Sequence, residues 1–151
     1  MPELKILNSR EIKEIIEMIK NQWNADIELN YGFMQNDKDK TFLINKDISK
    51  IDSTKLRINS LGLYFCEIDK HKKIRLSIEG SQLVGPGAGK NLVKVNEAEA
   101  KKWLMGEDMQ IECIGCKDYV ILKHGNYFLG CGKYSNGKVL NFVGKTRRVS
   151  A

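Results

Sequence analysis

Val93-Lys-Val-Asn96, followed by the run Glu97–Met105 and closed by Gly106, sets a short strand directly ahead of a capped helix. Leu92–Val95 reads as a short strand. Asn96 and Glu99 have the spacing of a capping box, in which each side chain takes a backbone N–H left free at a helix start. Ala100, Trp103 and Leu104 share one face, and Gly106 is placed to stop the helix. After it the chain reads as strand upon strand: Met109–Cys113, Tyr119–Lys123, Tyr127–Lys133 and Val139–Val143. Between them lie His124-Gly-Asn126 and Ser135-Asn-Gly137, where Gly and Asn supply the positive φ of tight turns. Short strands at this spacing predict a small barrel or sandwich carrying a single helix.

Upstream, Asn8 and Glu11 form another capping-box pair. Ile12, Ile15, Ile16, Ile19 and Trp23 follow helical spacing, which predicts a helix over Arg10–Trp23 with one face packed on a sheet. Ile27, Leu29, Tyr31 and Phe33 alternate with polar residues and predict a half-buried strand. Gln35–Lys40 reads as a polar turn and Thr41–Asn45 as a short apolar run. Leu61–Ile68 and the alternating Ile74, Leu76 and Ile78 predict a hairpin around the polar turn Asp69–Lys73. Lys46–Ser60 holds helix-like and turn-like pieces without a clear order. The glycines of Gly80–Lys90 predict a loop or linker and the best domain boundary.

A chain of 151 residues, 42% hydrophobic and 29% charged, is globular in composition and fits one domain or two small ones. No apolar run reaches the roughly 18 residues of a membrane span. The start Met1–Glu14 has no signal-peptide pattern, so the expected location is the cytoplasm, away from membranes. The net charge of +6 is unevenly placed. Residues 1–88 hold 14 Lys/Arg against 13 Asp/Glu, whereas residues 89–151 hold 11 against 6. After Asp118 come Lys123, Lys133, Lys138, Lys145, Arg147 and Arg148 with no acid. Such a stretch is either a solvated lysine-rich surface or an attractor of polyanions.

Three motifs lead elsewhere and fail. Gly85-Pro-Gly-Ala-Gly-Lys90 resembles a phosphate loop, but three residues separate its outer glycines and Asn91 stands where a Ser or Thr is required. Pro86 also removes an N–H from the cradle. Cys113-Ile-Gly-Cys116 has zinc-knuckle spacing without a second paired motif, so the cysteines, Cys66 and Cys131 included, are expected as free thiols without metal. His71 and His124 lie in polar turns, where a histidine is more often a solvated side chain than a general base. No nucleophile elbow or dinucleotide fingerprint occurs, and neither catalysis nor a cofactor is expected.

The C-terminal pattern resembles the PUA domain, an RNA-binding pseudo-barrel. The matching residues are Val93–Asn96, the helix ending at Gly106, Asp118-Tyr-Val-Ile-Leu122 and Gly125-Asn-Tyr-Phe-Leu-Gly-Cys-Gly132. Asn59-Ser-Leu-Gly-Leu-Tyr-Phe65, Lys73–Ile78 and Gln82-Leu-Val84 resemble a pre-PUA domain. Together they resemble the Nip-seven-like family of short pre-PUA plus PUA proteins of ribosome biogenesis; a similar module ends some rRNA cytosine methyltransferases. The resemblance implies an α+β fold. An N-terminal α/β pre-PUA-like domain, residues 1–88, precedes a small PUA-type β pseudo-barrel with a short helix, residues 89–151. Many PUA domains carry Leu-x-x-Pro-Gly-Ile after the helix. Here Met109–Cys116 has Gly115 but no proline, and no RNA contact is assigned there.

The implied function is non-catalytic binding of RNA, with rRNA in ribosome biogenesis as the first expectation and tRNA as the other RNA considered. The alternative is an RNA-targeting subunit of a methyltransferase or pseudouridine synthase. The family's RNA-facing side falls on the acid-free stretch, so Lys133, Lys138, Lys145, Arg147 and Arg148 are the expected RNA-binding residues. Lysine offers mobile point contacts to phosphate, and arginine a bidentate fork or a stacking plane. Tyr134 either stacks a base or packs its ring within the fold. Lys101 and Lys102 are expected in solvent. The near-neutral N-terminal domain is free for a protein partner.

Overall fold

A computed structural model describes residues 4–46 and 62–149. The pieces expected within Lys46–Ser60, apart from Lys46, and the expected strand start at Leu61 lie outside the described residues.

The first sheet is antiparallel, in the order β1 (Leu4–Ile6), β2 (Gly32–Asn36), β3 (Lys40–Ile44), β4 (Leu63–Ile68), β5 (Ile74–Leu76). Helix α1 (Ser9–Trp23) lies against it and is capped as its sequence predicts. The Asn8 side chain accepts from Glu11 N–H, and the Glu11 carboxylate accepts from Asn8 N–H. Ile15, Ile19 and Trp23 are buried with Phe33, Leu43, Phe65 and Ile74. Gln22, itself buried, clamps the helix to the sheet edge through both Ile74 backbone groups, at 3.0 and 2.7 Å. The Asp69–Lys73 turn is held by the Asp69 carboxylate, which accepts from the N–H of His71 and Lys73.

Two expected elements differ. Ile27–Phe33 is not a strand: pairing begins at Gly32, and residues 25–30 run beside the core unpaired. The alternation is real, since Ile27 and Leu29 pack on the core while Asp26, Glu28 and Asn30 are exposed. It reports a buried face, not a hydrogen-bonded ladder. Ile78 does not extend β5 but opens helix α2 (Ile78–Val84). Ser77 caps it by accepting from Gly80 N–H, while its hydroxyl donates to the Tyr64 carbonyl. Gly80–Lys90 is therefore no open linker. Gly80, Ser81, Val84 and Gly85 are buried, Gly85–Gly87 forms a 3₁₀ turn, and the Phe128 ring fills the place where a Gly85 side chain would be.

The second sheet has the order β6 (Leu92–Lys94), β8 (Tyr119–His124), β9 (Tyr127–Ser135), β10 (Lys138–Leu140), β7 (Met109–Gln110), with β6 parallel to β8 and the other pairs antiparallel. Helix α3 (Glu97–Leu104) follows β6 with the expected capping box, and Gly106 takes φ +96° beyond its end. Asn136 and Gly137 turn the β9–β10 hairpin at φ 50° and 76°. The strands expected over Met109–Cys113 and Val139–Val143 are shorter than their apolar runs.

β8 is buried on both faces. Tyr119 and Ile121, with Cys131 from β9, join the core under the first sheet. Val120 and Leu122 join Val93, Trp103 and Val139 in a second core under α3. Gly132 lets β9 reach Trp103: a methyl there would sit 2.6 Å from the indole and 2.5 Å from the Leu140 carbonyl oxygen. The expectation of free thiols throughout is corrected at one place. Cys113 and Cys116 are joined in a disulfide, across a turn with Gly115 at φ +82° and Cα atoms 5.4 Å apart, within bridging range. Cys66 and Cys131 are free and buried, and burial pushes both thiols up to about 12.

Gly132→Ala is expected to lower unfolding free energy by about 1–3 kcal/mol through overpacking. Gly144→Ala, in open space at φ −59°, is expected to change it by only a few tenths. Equal midpoints in urea would contradict this packing. After reduction, native protein should react with a thiol reagent at Cys113 and Cys116, while Cys66 and Cys131 react only on unfolding. Ready native labelling of Cys66 would refute the placement.

Candidate nucleic-acid interface

The acid-free stretch of sequence is not acid-free in space. Lys138, on β10, pairs with Asp108 at 3.4 Å, and the same carboxylate accepts from Asn141 N–H at 2.8 Å. Arg147, in the 3₁₀ turn Lys145–Arg147, pairs with Glu79 of α2 at 2.7 Å. Arg148 packs over Gly106 and donates through Nε to the Val143 carbonyl at 3.1 Å, while Val149 N–H reaches the Leu104 carbonyl. Lys133 and Lys145 are exposed and have no acidic partner among the described residues.

The expected residues fall into two groups. Lys133 and Lys138 share one face of the β9–β10 hairpin, since Leu140 lies opposite Lys133 and two residues along from Lys138. Lys145, Arg147 and Arg148 run from the start of α2 to the end of α3. The Gly106–Asp108 loop links Lys138 to Arg148. Asn141 ties it down by donating to the Trp103 and Glu107 carbonyls at 2.8 and 2.9 Å. Lysines with exposed heads and an arginine with free amino groups can still neutralise phosphates, but with acids interspersed the field is weaker than the sequence implies. Tyr134 takes its packing role: its ring lies against the second core, and its hydroxyl accepts from Cys113 N–H at 3.1 Å. Lys102 is exposed as expected, and Lys101 pairs with Glu97 at 3.7 Å.

Several other chemistry-bearing groups are committed to structure. Gly89 and Lys90 donate their N–H groups to the Trp23 carbonyl, so the phosphate-loop lookalike has spent the donors it needs. His124 Nδ1 lies 3.0 Å from the Val95 carbonyl. Thiols pushed up to about 12 carry almost no thiolate at neutral pH and are poor nucleophiles. Among the described residues, no three His, Cys, Asp or Glu side chains converge as metal ligands, and no helix is long and apolar enough to cross a membrane.

Sequence reasoning missed one cluster at the seam of the two sheets. Arg75 of β5 lies over the Phe142 ring, 4.3 Å from its centre, and forms an ion pair with Glu67. Phe142 tilts against Tyr119 at 6.4 Å. Tyr119 donates to Asp69 at 3.0 Å, and burial together with that carboxylate pushes the phenol up to about 12. Burial alone would raise the Asp69 carboxyl. The Lys73 and His71 N–H groups and the Tyr119 hydroxyl outweigh it and hold it below the usual range. Lys73 reaches Asp118 at 3.7 Å. No linear motif announces this cluster, because its members come from the β4–β5 hairpin and its turn, from Asp118 and Tyr119 at the start of β8, and from the segment after β10.

Residues 90–149, which carry this C-terminal sheet and α3, match the family described as the methyltransferase RsmF PUA domain. Similar proteins include the ribosomal RNA small subunit methyltransferase F of Aeromonas hydrophila subsp. hydrophila, 34% identical over 87 residues, 58% of this chain and 18% of that protein. The protein of the same description from Shewanella sp. (strain MR-4) is 29% identical over 93 residues, 58% of this chain and 19% of its own length. The chain spans about a fifth of these curated relatives. A PUA-like domain is thus present at the C-terminal end, residues 90–149, in a mixed α/β fold of two sheets.

Proposed function

We propose that this chain is a non-catalytic RNA-binding module that holds ribosomal RNA for a small-subunit rRNA methyltransferase. The supporting observation is the match of residues 90–149 to a methyltransferase PUA domain, in a chain similar to a minor part of such enzymes. The burial of Cys66 and Cys131 and the hold of the Val95 carbonyl on His124 agree with a role in grip and not in chemistry. In this reading residues 89–151 form the RNA-facing unit, with Lys133, Lys138, Lys145, Arg147 and Arg148 at phosphates. Residues 1–88 form the unit that faces a protein, such as a catalytic subunit.

The order of preference is the reverse of that drawn from sequence. A ribosome-assembly factor of the pre-PUA plus PUA kind remains the second reading, supported by the separate N-terminal sheet with its packed helix. Recovery of a catalytic methyltransferase with the tagged chain supports the first reading. Recovery of pre-ribosomal particles without one supports the second.

Binding to single-stranded RNA is expected to weaken with salt, with a log–log slope near ~0.7 per neutralised phosphate. Lys133→Ala combined with Lys145→Ala removes two exposed lysines that have no acidic partner among the described residues, and should weaken binding and flatten that slope. Lys13→Ala combined with Lys20→Ala removes equal charge from α1 and should do neither. Equal losses from the two pairs would show that net charge alone, not this surface, attracts RNA.

A further inference from the structure

We infer that the RNA-binding surface continues across the seam between the two sheets, where Phe142 and Arg75 form a stacking platform for one unpaired RNA base. This rests on the RNA-binding reading above and extends it to residues of the N-terminal sheet.

Phe142 is 41% exposed, although it lies in a built cluster and not on a loose tip. Its ring is held by the Arg75 guanidinium at 4.3 Å and by Tyr119 at 6.4 Å. Arg75 is itself held by Glu67, so the planar cation is oriented before any ligand arrives. A cavity of about 70 Å³ opens beside the ring, lined by Tyr64, Arg75, Ser77 and Gly130 among others. An aromatic ring backed by a fixed guanidinium suits a nucleobase, because every base offers a π-face, and arginine adds a cation to the stack.

The surroundings favour RNA over a protein partner. Lys133 lies directly across from Tyr119 in the β8–β9 register, so it flanks the same tyrosine as Phe142. It is exposed and without an acidic partner among the described residues. A strand whose phosphate meets Lys133 brings its base toward Phe142. On the other side, Lys40, Glu67 and Arg75 stand in register on one face of β3, β4 and β5. Lys40 lies over the Tyr64 ring at 5.5 Å, and Phe42 tilts on Tyr64 at 5.6 Å. Aromatic rings interleaved with cations thus lead from β9 onto the first sheet, the alternation a single strand uses for bases and phosphates.

The test uses a mixed-sequence single-stranded oligoribonucleotide carrying 2-aminopurine, with a duplex of the same sequence as comparison. Wild-type protein should quench the single-strand fluorescence on binding and quench the duplex little. Phe142→Ala should lose the quenching and weaken single-strand binding by about tenfold, the loss of one stacked base. Its salt slope should stay unchanged, because no phosphate contact is removed. Phe142→Tyr should behave as wild type. Should the Ala variant unfold, Phe142→Leu keeps the apolar bulk and removes the ring, with the same expected losses. Wild-type binding and quenching in the Ala or Leu variant, while Lys133→Ala with Lys145→Ala still weakens binding, would overturn the platform alone and leave the patch to a protein partner. Absence of RNA binding in the wild type would overturn both this inference and the reading beneath it.

Discussion

Strand β8 is the element on which the rest depends, because both of its faces are buried. Tyr119 and Ile121 complete the core beneath the first sheet, and Val120 and Leu122 complete the one beneath α3. A strand covered on both sides leaves no polar position to alternate, which is why Tyr119-Val-Ile-Leu122 is an unbroken apolar run. It also joins the halves. Cys131 and Phe128 of β9 pack into the N-terminal core, and Phe128 occupies the space that Gly85 leaves. The glycine-rich segment is thereby a tight packing joint, not a tether.

That joint positions the candidate interface. Arg147 reaches back to Glu79 at the start of α2, so the C-terminal basic run is pinned to the helix that seals the seam. Arg75 and Phe142 meet only because β5 and the segment after β10 are brought to the same edge. Residues of both sheets share one core, so they can present one surface, whereas domains joined by a flexible linker would be coupled only by effective concentration.

Local chemistry was legible in the sequence, and long-range pairing was not. The capping boxes at Asn8 and Asn96, the apolar stripe of α1, the stop at Gly106 and the Asn136-Gly137 turn each rest on a few neighbouring residues, and each stands as read. Ile27–Leu29 misled because alternation records one-sided burial, and among the described residues no strand pairs with it. Ile78 misled because Ser77 can end a strand or cap a helix, and the Tyr64 carbonyl across the sheet selects the cap. The charge map misled most for the same reason. Glu79 and Asp108 are distant in sequence from the basic residues they neutralise, so a run with no acids in one dimension became a mixed surface in three. The seam cluster was invisible because its parts come from three stretches far apart in sequence.

Crosslinking in cells, with sequencing of the bound RNA and mapping of the crosslinked peptides, reads out both the RNA held and the surface that holds it. Ribosomal RNA should be enriched over other abundant RNA, with crosslinks at residues of 119–148 and of β5. Crosslinks spread evenly over all lysine-bearing peptides, or RNA recovered only in proportion to its abundance, would contradict this reading.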